Sequence, residues 1–178
     1  MGVLNIKEKR PVRKYTGKKW KTNSYNKKEL EKDFHQKCAY CDDHHFYSGG
    51  YNSFHVEHFA PKDKFKEFEF VYDNLLYSCP YCNCSKSNKW VGKTIDENIV
   101  GDQGFIDPCT DDYDKHLARN DNGEIIPLTK IGEYMYKELK FYLMRHKIIY
   151  NLERMENIRL VLEKKLKKRD LKKKIIKN

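Results

Sequence analysis

The chain has 178 residues and a formal net charge of +10, and aromatic residues make up 13% of it, which argues against wholesale disorder. No window holds the long apolar run that a membrane-spanning helix needs, and the first residues lack the apolar core of a signal peptide. We therefore expect a cytoplasmic protein with reduced cysteines and no membrane partner.

The charge is distributed over three segments with opposite balances. Residues 1–32 carry 11 basic and 3 acidic side chains, and residues 137–178 carry 15 basic and 5 acidic ones. Residues 33–136 carry 10 basic and 18 acidic side chains. Basic ends are suited to neutralising phosphates, whereas an acidic centre tolerates DNA only where a cation bridges the two. The alternative is that the lysine-rich ends are solvated surface.

The first segment starts as a basic arm and ends in a predicted helix. Between residues 7 and 21, basic residues are interleaved with Tyr15 and Trp20. This composition suits either a clamp on a nucleic-acid backbone or simple packing of the arm on the body. Asn26 and Glu29 have the spacing of a helix-capping box, so we expect a helix with Asn26 as its N-cap.

Two Cys-x-x-Cys pairs enclose the middle of the chain. Their members are Cys38, Cys41, Cys79 and Cys82. Paired knuckles of this spacing predict one structural zinc ion with four thiolate ligands. The alternatives are two disulfides, for which the sequence shows no oxidising compartment, or two unrelated motifs. Cys84 and Cys109 remain, and we interpret both as ordinary thiols.

A carboxylate and an imidazole stand side by side between the cysteine pairs, at Glu57 and His58. A carboxylate is a hard oxygen ligand for Mg2+, and an imidazole takes a proton from water near neutral pH. The doublet therefore suits hydrolysis of a phosphodiester. His55 lies on the same strand face as Glu57, where it either supports the site or is a partly buried packing residue.

The residues around this doublet predict two short strands followed by a helix. Residues 54–59 alternate and are rich in β-branched and aromatic side chains, and residues 74–78 form a second such run. A short helix is predicted from Pro80 onward. Asn83 then lies early in that helix, where its amide oxygen is available to the same ion.

These residues also resemble a known family. The pattern C-x-x-C, Glu-His-Phe-x-Pro-Lys and Asn-Leu-Leu-x-x-Cys-x-x-Cys-Asn-x-x-Lys, spread over residues 38–89, is similar to HNH endonucleases with a zinc-stabilised ββα-metal fold. More narrowly, Glu-His-Phe-x-Pro-Lys and the Phe-Ile-Asp-Pro at 105–108 resemble the HNH subunits of Septu-type and retron-associated bacterial anti-phage systems. In those systems the nuclease works with an ATPase partner.

The resemblance implies a role for each matching residue. His58 takes the position of the general base, and Glu57 that of the metal-binding acid, which is more often Asp. Asn74 matches the middle asparagine, whose usual role is to hold the loop around the base. Asn83 matches the final position, often His, as the second protein ligand of a catalytic Mg2+ or Mn2+ ion. Lys86 either contacts phosphate or is a surface lysine.

The rest of the chain predicts a hairpin followed by helices. Asp-Asn-Gly at 121–123, between short runs at 116–119 and 124–128, is a strong hairpin signal. From Glu133 onward apolar residues recur at steps of three and four, which predicts one long helix or two joined near Asn151. This stripe is longer than so small a centre can bury. It therefore predicts a protein partner, such as an ATPase subunit, or self-association.

The sequence as a whole predicts an α+β protein in three parts. They are a basic arm with the start of the first helix (1–32), an HNH ββα-metal module with zinc knuckles (33–95), and a C-terminal extension with a hairpin and long basic helices (96–178). The expected function is metal-dependent hydrolysis of DNA, with RNA left open, in anti-phage defence. The alternatives are a non-catalytic zinc-binding subunit that binds nucleic acid or a partner, and a scaffold for an ATPase. Arg145 and His146 are given no catalytic role.

Overall fold

The computed structural model describes the backbone of residues 2–19 and 22–176, and their side chains apart from those of 23, 24 and 170–176. Trp20 of the predicted arm and Lys177 of the basic tail lie outside these residues. The described elements, in chain order, are β1 (Val3–Asn5), α1 (Asn23–Asp33), β2 (His55–His58), β3 (Leu75–Ser78), α2 (Pro80–Lys86), β4 (Ile99–Val100), β5 (Gln103–Gly104), α3 (Tyr113–His116), β6 (Leu117–Asn120), β7 (Ile125–Pro127), α4 (Lys130–Glu138) and α5 (Met144–Ile176). Among these helices, none has both the length and the apolar character needed to cross a bilayer.

The strands form small antiparallel sheets. β2 pairs with β3 so that Glu57 lies opposite Leu76, and α2 follows directly, which confirms the predicted strand–strand–helix order. β6 and β7 form the predicted hairpin, where Gly123 supplies a backbone φ of 83° in the turn. β1 adds to the outer side of β6, with Leu4 opposite Arg119. This sheet joins the start of the chain to its C-terminal extension.

Two helix boundaries differ from the prediction. α1 begins at Asn23 with Thr22 as its N-cap, so Asn26 is not a cap but a fully buried residue inside the helix. Burial of that face outweighs the local capping pattern. The predicted joint near Asn151 is also wrong, because α5 runs through that residue and the break lies between residues 138 and 144. There the chain turns through Lys140, at a φ of 54°.

One hydrophobic core joins residues from all three predicted segments. Its buried members include Ile6, Leu30, Tyr40, Tyr72, Leu75, Tyr77, Phe105, Leu117, Met135 and Phe141. The turn between α4 and α5 brings Phe141 into this core, which gives a physical reason for the break that periodicity alone does not reveal. The boundaries at residues 32 and 95 stay a prediction.

The basic arm packs on the acidic centre. Arg10 binds Asp114 at 2.7 Å, and Arg13 binds Asp107 at 2.7 Å while it donates to the carbonyl oxygen of Leu75 at 3.0 Å. These guanidinium groups are therefore paired with carboxylates of the same chain. The described arm residues before Trp20 therefore pack on the body of the protein, which is the second of the two predicted alternatives. Their charge is largely compensated by carboxylates within the fold.

Candidate active site and zinc centre

The two cysteine pairs meet in the interior of the protein. The Sγ atoms of all four cysteines lie within 4.8 Å of one another, and all four side chains are buried. Cys41 Sγ and Cys79 Sγ are 3.9 Å apart, far beyond the roughly 2.05 Å of a disulfide bond, and all six cysteines of the chain are free. The disulfide alternative therefore does not describe this arrangement.

The donor set fits a zinc ion. Four sulfur atoms at mutual contact distance are the ligand set of a structural zinc site. Backbone amides already point at two of them: Cys79 N–H donates to Cys38 Sγ at 3.3 Å, and Cys82 N–H donates to Cys79 Sγ at 3.4 Å. Burial raises the pKa of the Cys41 thiol well above its ordinary value, and a bound zinc ion would favour its thiolate form.

The cysteine cluster also holds in place the elements that form the neighbouring site. Cys79 caps α2, and Pro80 occupies the first turn of that helix. The backbone N–H of Ala39, inside the first knuckle, donates to the carbonyl oxygen of Tyr77 in β3 at 2.7 Å. The end of β3 and the start of α2 are thus held at one point, next to the strand that carries Glu57 and His58.

Among the described residues, one hydrogen bond holds the His58 side chain, and the partner determines its direction. Its Nε2 lies 2.9 Å from the carbonyl oxygen of Glu69. Because a carbonyl oxygen only accepts, Nε2 carries the proton and the lone pair of the neutral ring is on Nδ1. Burial lowers the pKa of His58 from its ordinary value and so favours the neutral imidazole. The half-buried ring can therefore accept a proton at Nδ1.

Asn74 clamps the loop that follows His58. Its Oδ1 accepts from the backbone N–H of Ala60 at 2.8 Å, and its Nδ2 donates to the carbonyl oxygen of Ala60 at 2.9 Å. The same Nδ2 lies 3.4 Å from the carbonyl oxygen of Phe68, one residue before Glu69. Asn74 thus ties the start of the loop to Phe68, the residue before the Glu69 carbonyl that orients His58.

Replacing Asn74 with alanine should destabilise this loop. Both buried polar groups of Ala60 would lose their partner, which costs roughly 1–3 kcal/mol for each unsatisfied group. We expect a lower free energy of unfolding in urea and slower cleavage, with the zinc content unchanged. The matched control is Asn88→Ala, since Asn88 is exposed and its side chain bonds Asp63 on the surface. Equal stability of the two variants would contradict the clamp.

Glu57 is buried beside the cysteine cluster, with 6% of its surface exposed. The Tyr40 hydroxyl donates to its Oε1 at 3.4 Å, and Lys86 Nζ lies 3.9 Å from the same oxygen. Burial raises the pKa of Glu57 to about 8, although the charge of Lys86 opposes this shift. A cation bound at this carboxylate would offset the cost of burying its charge.

Lys86 corrects a prediction. Its side chain is fully buried, its Nζ donates to the carbonyl oxygen of Phe59 at 2.9 Å, and the rings of Trp90 and Phe105 lie 5.8 and 5.0 Å away. It is therefore neither a surface lysine nor placed to contact phosphate. The reason is that it occupies the last turn of α2, on the side of the helix that faces β2.

The structure also gives the positions of Asn83 and His55. Asn83 is half-buried on α2, directly after Cys82, and α2 packs against β2. Its assignment as an ion ligand stays a prediction. His55, at the first position of β2, is exposed, so the expectation of a partly buried packing histidine is wrong.

The sequence did not reveal a buried charged cluster on the far side of the cysteines. Its members are Asp43, Arg119, Arg145 and His146, and Asp43 and His146 are 103 residues apart. No local pattern connects them. The only available signal was the Arg-His doublet at the start of the apolar stripe of α5, where a helix that packs on the body has little room for charge.

Comparison with known proteins agrees with this geometry. Residues 38–89 match the family model described as HNH endonuclease. Comparison with curated proteins finds no match to the chain. The matched residues contain both cysteine pairs, β2, β3 and α2, and therefore the whole candidate site described above. Together, the match and the fold identify residues 38–89 as an HNH domain, a nuclease-type module, within a small α+β protein.

Proposed function

We propose that this protein is a metal-dependent endonuclease that hydrolyses DNA phosphodiester bonds. The observation that carries the proposal is the state of His58, whose Nε2 is fixed by a carbonyl oxygen while Nδ1 keeps its lone pair, at the position in β2 that directly follows the buried Glu57. A general base must be neutral and held in one orientation before it can take a proton. The lowered pKa of His58 and its hydrogen bond to the Glu69 carbonyl support both conditions.

In the proposed mechanism, His58 Nδ1 takes a proton from the attacking water. Glu57 and Asn83 would hold a Mg2+ or Mn2+ ion through their side-chain oxygens. When bound, this ion would stabilise the charge that develops on the phosphate and on the leaving 3′ oxygen. The Tyr40 hydroxyl orients Glu57, and Asn74 holds the loop whose carbonyl fixes the base.

A non-catalytic zinc module remains the rival function. The cysteine cluster and the basic α5 suit such a module as well as they suit a nuclease. It gives no reason, however, for a buried glutamate followed in the strand by a histidine of fixed orientation, because a binding module needs neither group.

The proposal is tested by ion dependence of cleavage in Glu57→Gln. The glutamine keeps one weak oxygen donor, so we expect slow cleavage at low Mg2+ or Mn2+ and partial recovery as the ion concentration rises. Glu67→Gln is the matched control, because Glu67 is exposed in the same loop region. It should cut like the parent throughout. If Glu57→Gln cleaves DNA as fast as the parent at low Mg2+ or Mn2+ concentration, the role given to Glu57 in the mechanism is wrong.

For DNA binding, the basic side chains of α5 support the proposal better than those of the arm. Beyond Glu163 the described side chains include five exposed basic groups and no acidic one, namely Lys164, Lys165, Lys167, Lys168 and Arg169. Within the part of the chain whose side chains are described, none of them pairs with a carboxylate, in contrast with Arg10 and Arg13.

Changing Lys164, Lys165, Lys167 and Lys168 to glutamine should weaken DNA binding. Each lost phosphate contact lowers the slope of log K against log salt by about 0.9. We expect a slope that is flatter by up to about 3.6, measured by fluorescence anisotropy with duplex DNA. Lys115→Gln with Lys130→Gln is the control, since these lysines already pair with Asp112 and Asp102. If the slope is unchanged, these lysines do not contact DNA and are only solvated surface.

We also propose that the chain is the nuclease effector of an anti-phage system and works with a protein partner such as an ATPase subunit. The short Glu-His-Phe-x-Pro-Lys and Phe-Ile-Asp-Pro motifs support this narrower function. α5 exposes an apolar stripe whose members are 49% to 68% exposed, namely Ile148, Leu152, Met155, Ile158 and Leu162. Two copies of the basic end of this helix would repel each other, so a partner with an acidic rim fits better than self-association.

A further inference from the structure

A buried charged cluster connects the cysteine site to the long helix. Asp43 lies two residues after Cys41, and its side chain is fully buried. Arg145 Nη1 and His146 Nδ1 of α5 lie 3.1 and 3.2 Å from its Oδ2. From β6, Arg119 donates to the carbonyl oxygen of Cys41 at 2.6 Å and lies 3.5 Å from Asp43 Oδ1. Groups from three distant parts of the chain thus converge behind Cys41.

His146 faces the sulfur as well as the carboxylate. A ring nitrogen of His146, a carboxylate oxygen of Asp43 and Cys41 Sγ all lie within 4.8 Å of one another. His146 is 1% exposed, and its Nε2 has no hydrogen-bond partner among the described residues. Orphaned buried nitrogens are rare in folded proteins. A sulfur that gains negative charge on binding zinc would be the missing acceptor.

From this arrangement we infer that Asp43 and His146 are positioning residues of the zinc centre. Asp43 orients the imidazole, the imidazole faces the Cys41 thiolate, and Arg119 holds the backbone of the same cysteine. Residues that hydrogen-bond to a metal ligand without touching the metal typically contribute 10- to 100-fold to metal affinity. The inference concerns zinc retention, so it holds whether or not the chain cuts DNA.

The same contacts fasten α5 to the HNH domain. Within the described residues, the hydrogen bonds and ion pairs between α5 and the rest of the chain involve no residue beyond Glu153. Further along, Arg159 pairs with Glu156 and Glu163 of its own helix. The buried cluster at Arg145 and His146 is therefore the innermost anchor. Because linkage is reciprocal, a tighter zinc site and a firmly anchored α5 stabilise each other.

The test compares zinc release from the folded, zinc-loaded full chain. His146→Phe removes both ring nitrogens and keeps a ring of similar shape, whereas Asp43→Asn keeps the shape and removes the charge. Transfer of zinc to an excess of a chromophoric chelator should be about 10- to 100-fold faster in both variants. Lys147→Gln is the matched control, because it removes the neighbouring ion pair to Glu124 on the helix surface. It should release zinc at the parental rate.

A second measurement separates positioning of zinc from packing of the helix. Amide hydrogen exchange in residues 144–150 should rise in zinc-loaded His146→Phe, while β2 and β3 stay protected. His146→Gln, which keeps one donor, should recover part of the slow release, and it decides the question if Asp43→Asn fails to fold. Faster exchange in α5 with parental zinc release in both His146 variants would overturn the inference, because the cluster would then hold only the helix.

Discussion

Replacing His58 with alanine should lower the rate of DNA cleavage by about 100-fold or more and leave the fold intact. A positioned general base contributes roughly 10²–10⁴ to the rate. His58 lies outside the cysteine cluster, and its one side-chain hydrogen bond to a described residue runs to a loop carbonyl, so removal of the imidazole should spare both zinc and structure. Single-turnover cleavage at saturating Mn2+ gives the rate, and metal analysis gives the zinc content.

The matched control for this variant is His55→Ala. His55 lies three residues earlier on the same strand but is exposed, and the proposed mechanism gives it no role. It should cut like the parent. The response to ion concentration adds a second distinction, because more Mn2+ should partly restore Glu57→Gln but cannot replace the base missing from His58→Ala. Equal rates for His58→Ala and the parent would contradict the catalytic assignment.

Changing Cys82 to serine should have the largest effect on stability. Structural zinc contributes on the order of 10–16 kcal/mol to the folding of small modules, and a hydroxyl is a poor replacement for a thiolate in this site. We expect loss of about one zinc per chain and unfolding of the centre, because the cluster joins β3, α2 and the first knuckle. Metal analysis and thermal unfolding measure these two effects.

Cys84→Ser provides a close control for that experiment. Cys84 lies two residues further along α2, is exposed, and is outside the cysteine cluster. Its replacement should keep both the zinc and the melting temperature of the parent. A Cys82→Ser protein that retains zinc and melts like the control would rule out the four-cysteine site.

The candidate site could be predicted because its determinants are local. Knuckle spacing places two thiols on one turn, and the alternating residues 54–59 predict the strand with Glu57 and His58. Asparagine-glycine at 122–123 predicts the hairpin in the same way. Each of these signals lies within a few residues of the element that it specifies, so no knowledge of the tertiary structure is needed.

The features that escaped prediction depend on contacts between distant segments. Lys86 looks like a surface lysine until α2 is docked against β2, where a carbonyl oxygen and a carboxylate replace its water. The charge of Arg13 is compensated by Asp107, 94 residues further along the chain. The buried carboxylate of Asp43 is likewise paired with the distant His146. The break before α5 follows from burial of the turn rather than from its sequence. Such long-range pairings have no periodic signature.

The central claim is tested most directly by cleavage of supercoiled plasmid DNA with the zinc-loaded parent chain. Loosely bound divalent ions are removed by dialysis rather than by a strong chelator, which would also strip the structural zinc. On this account, nicked and then linear DNA appears when Mg2+ or Mn2+ is added and is absent without them. Intact plasmid at every ion concentration, from a chain that holds its zinc and binds the DNA, would contradict it.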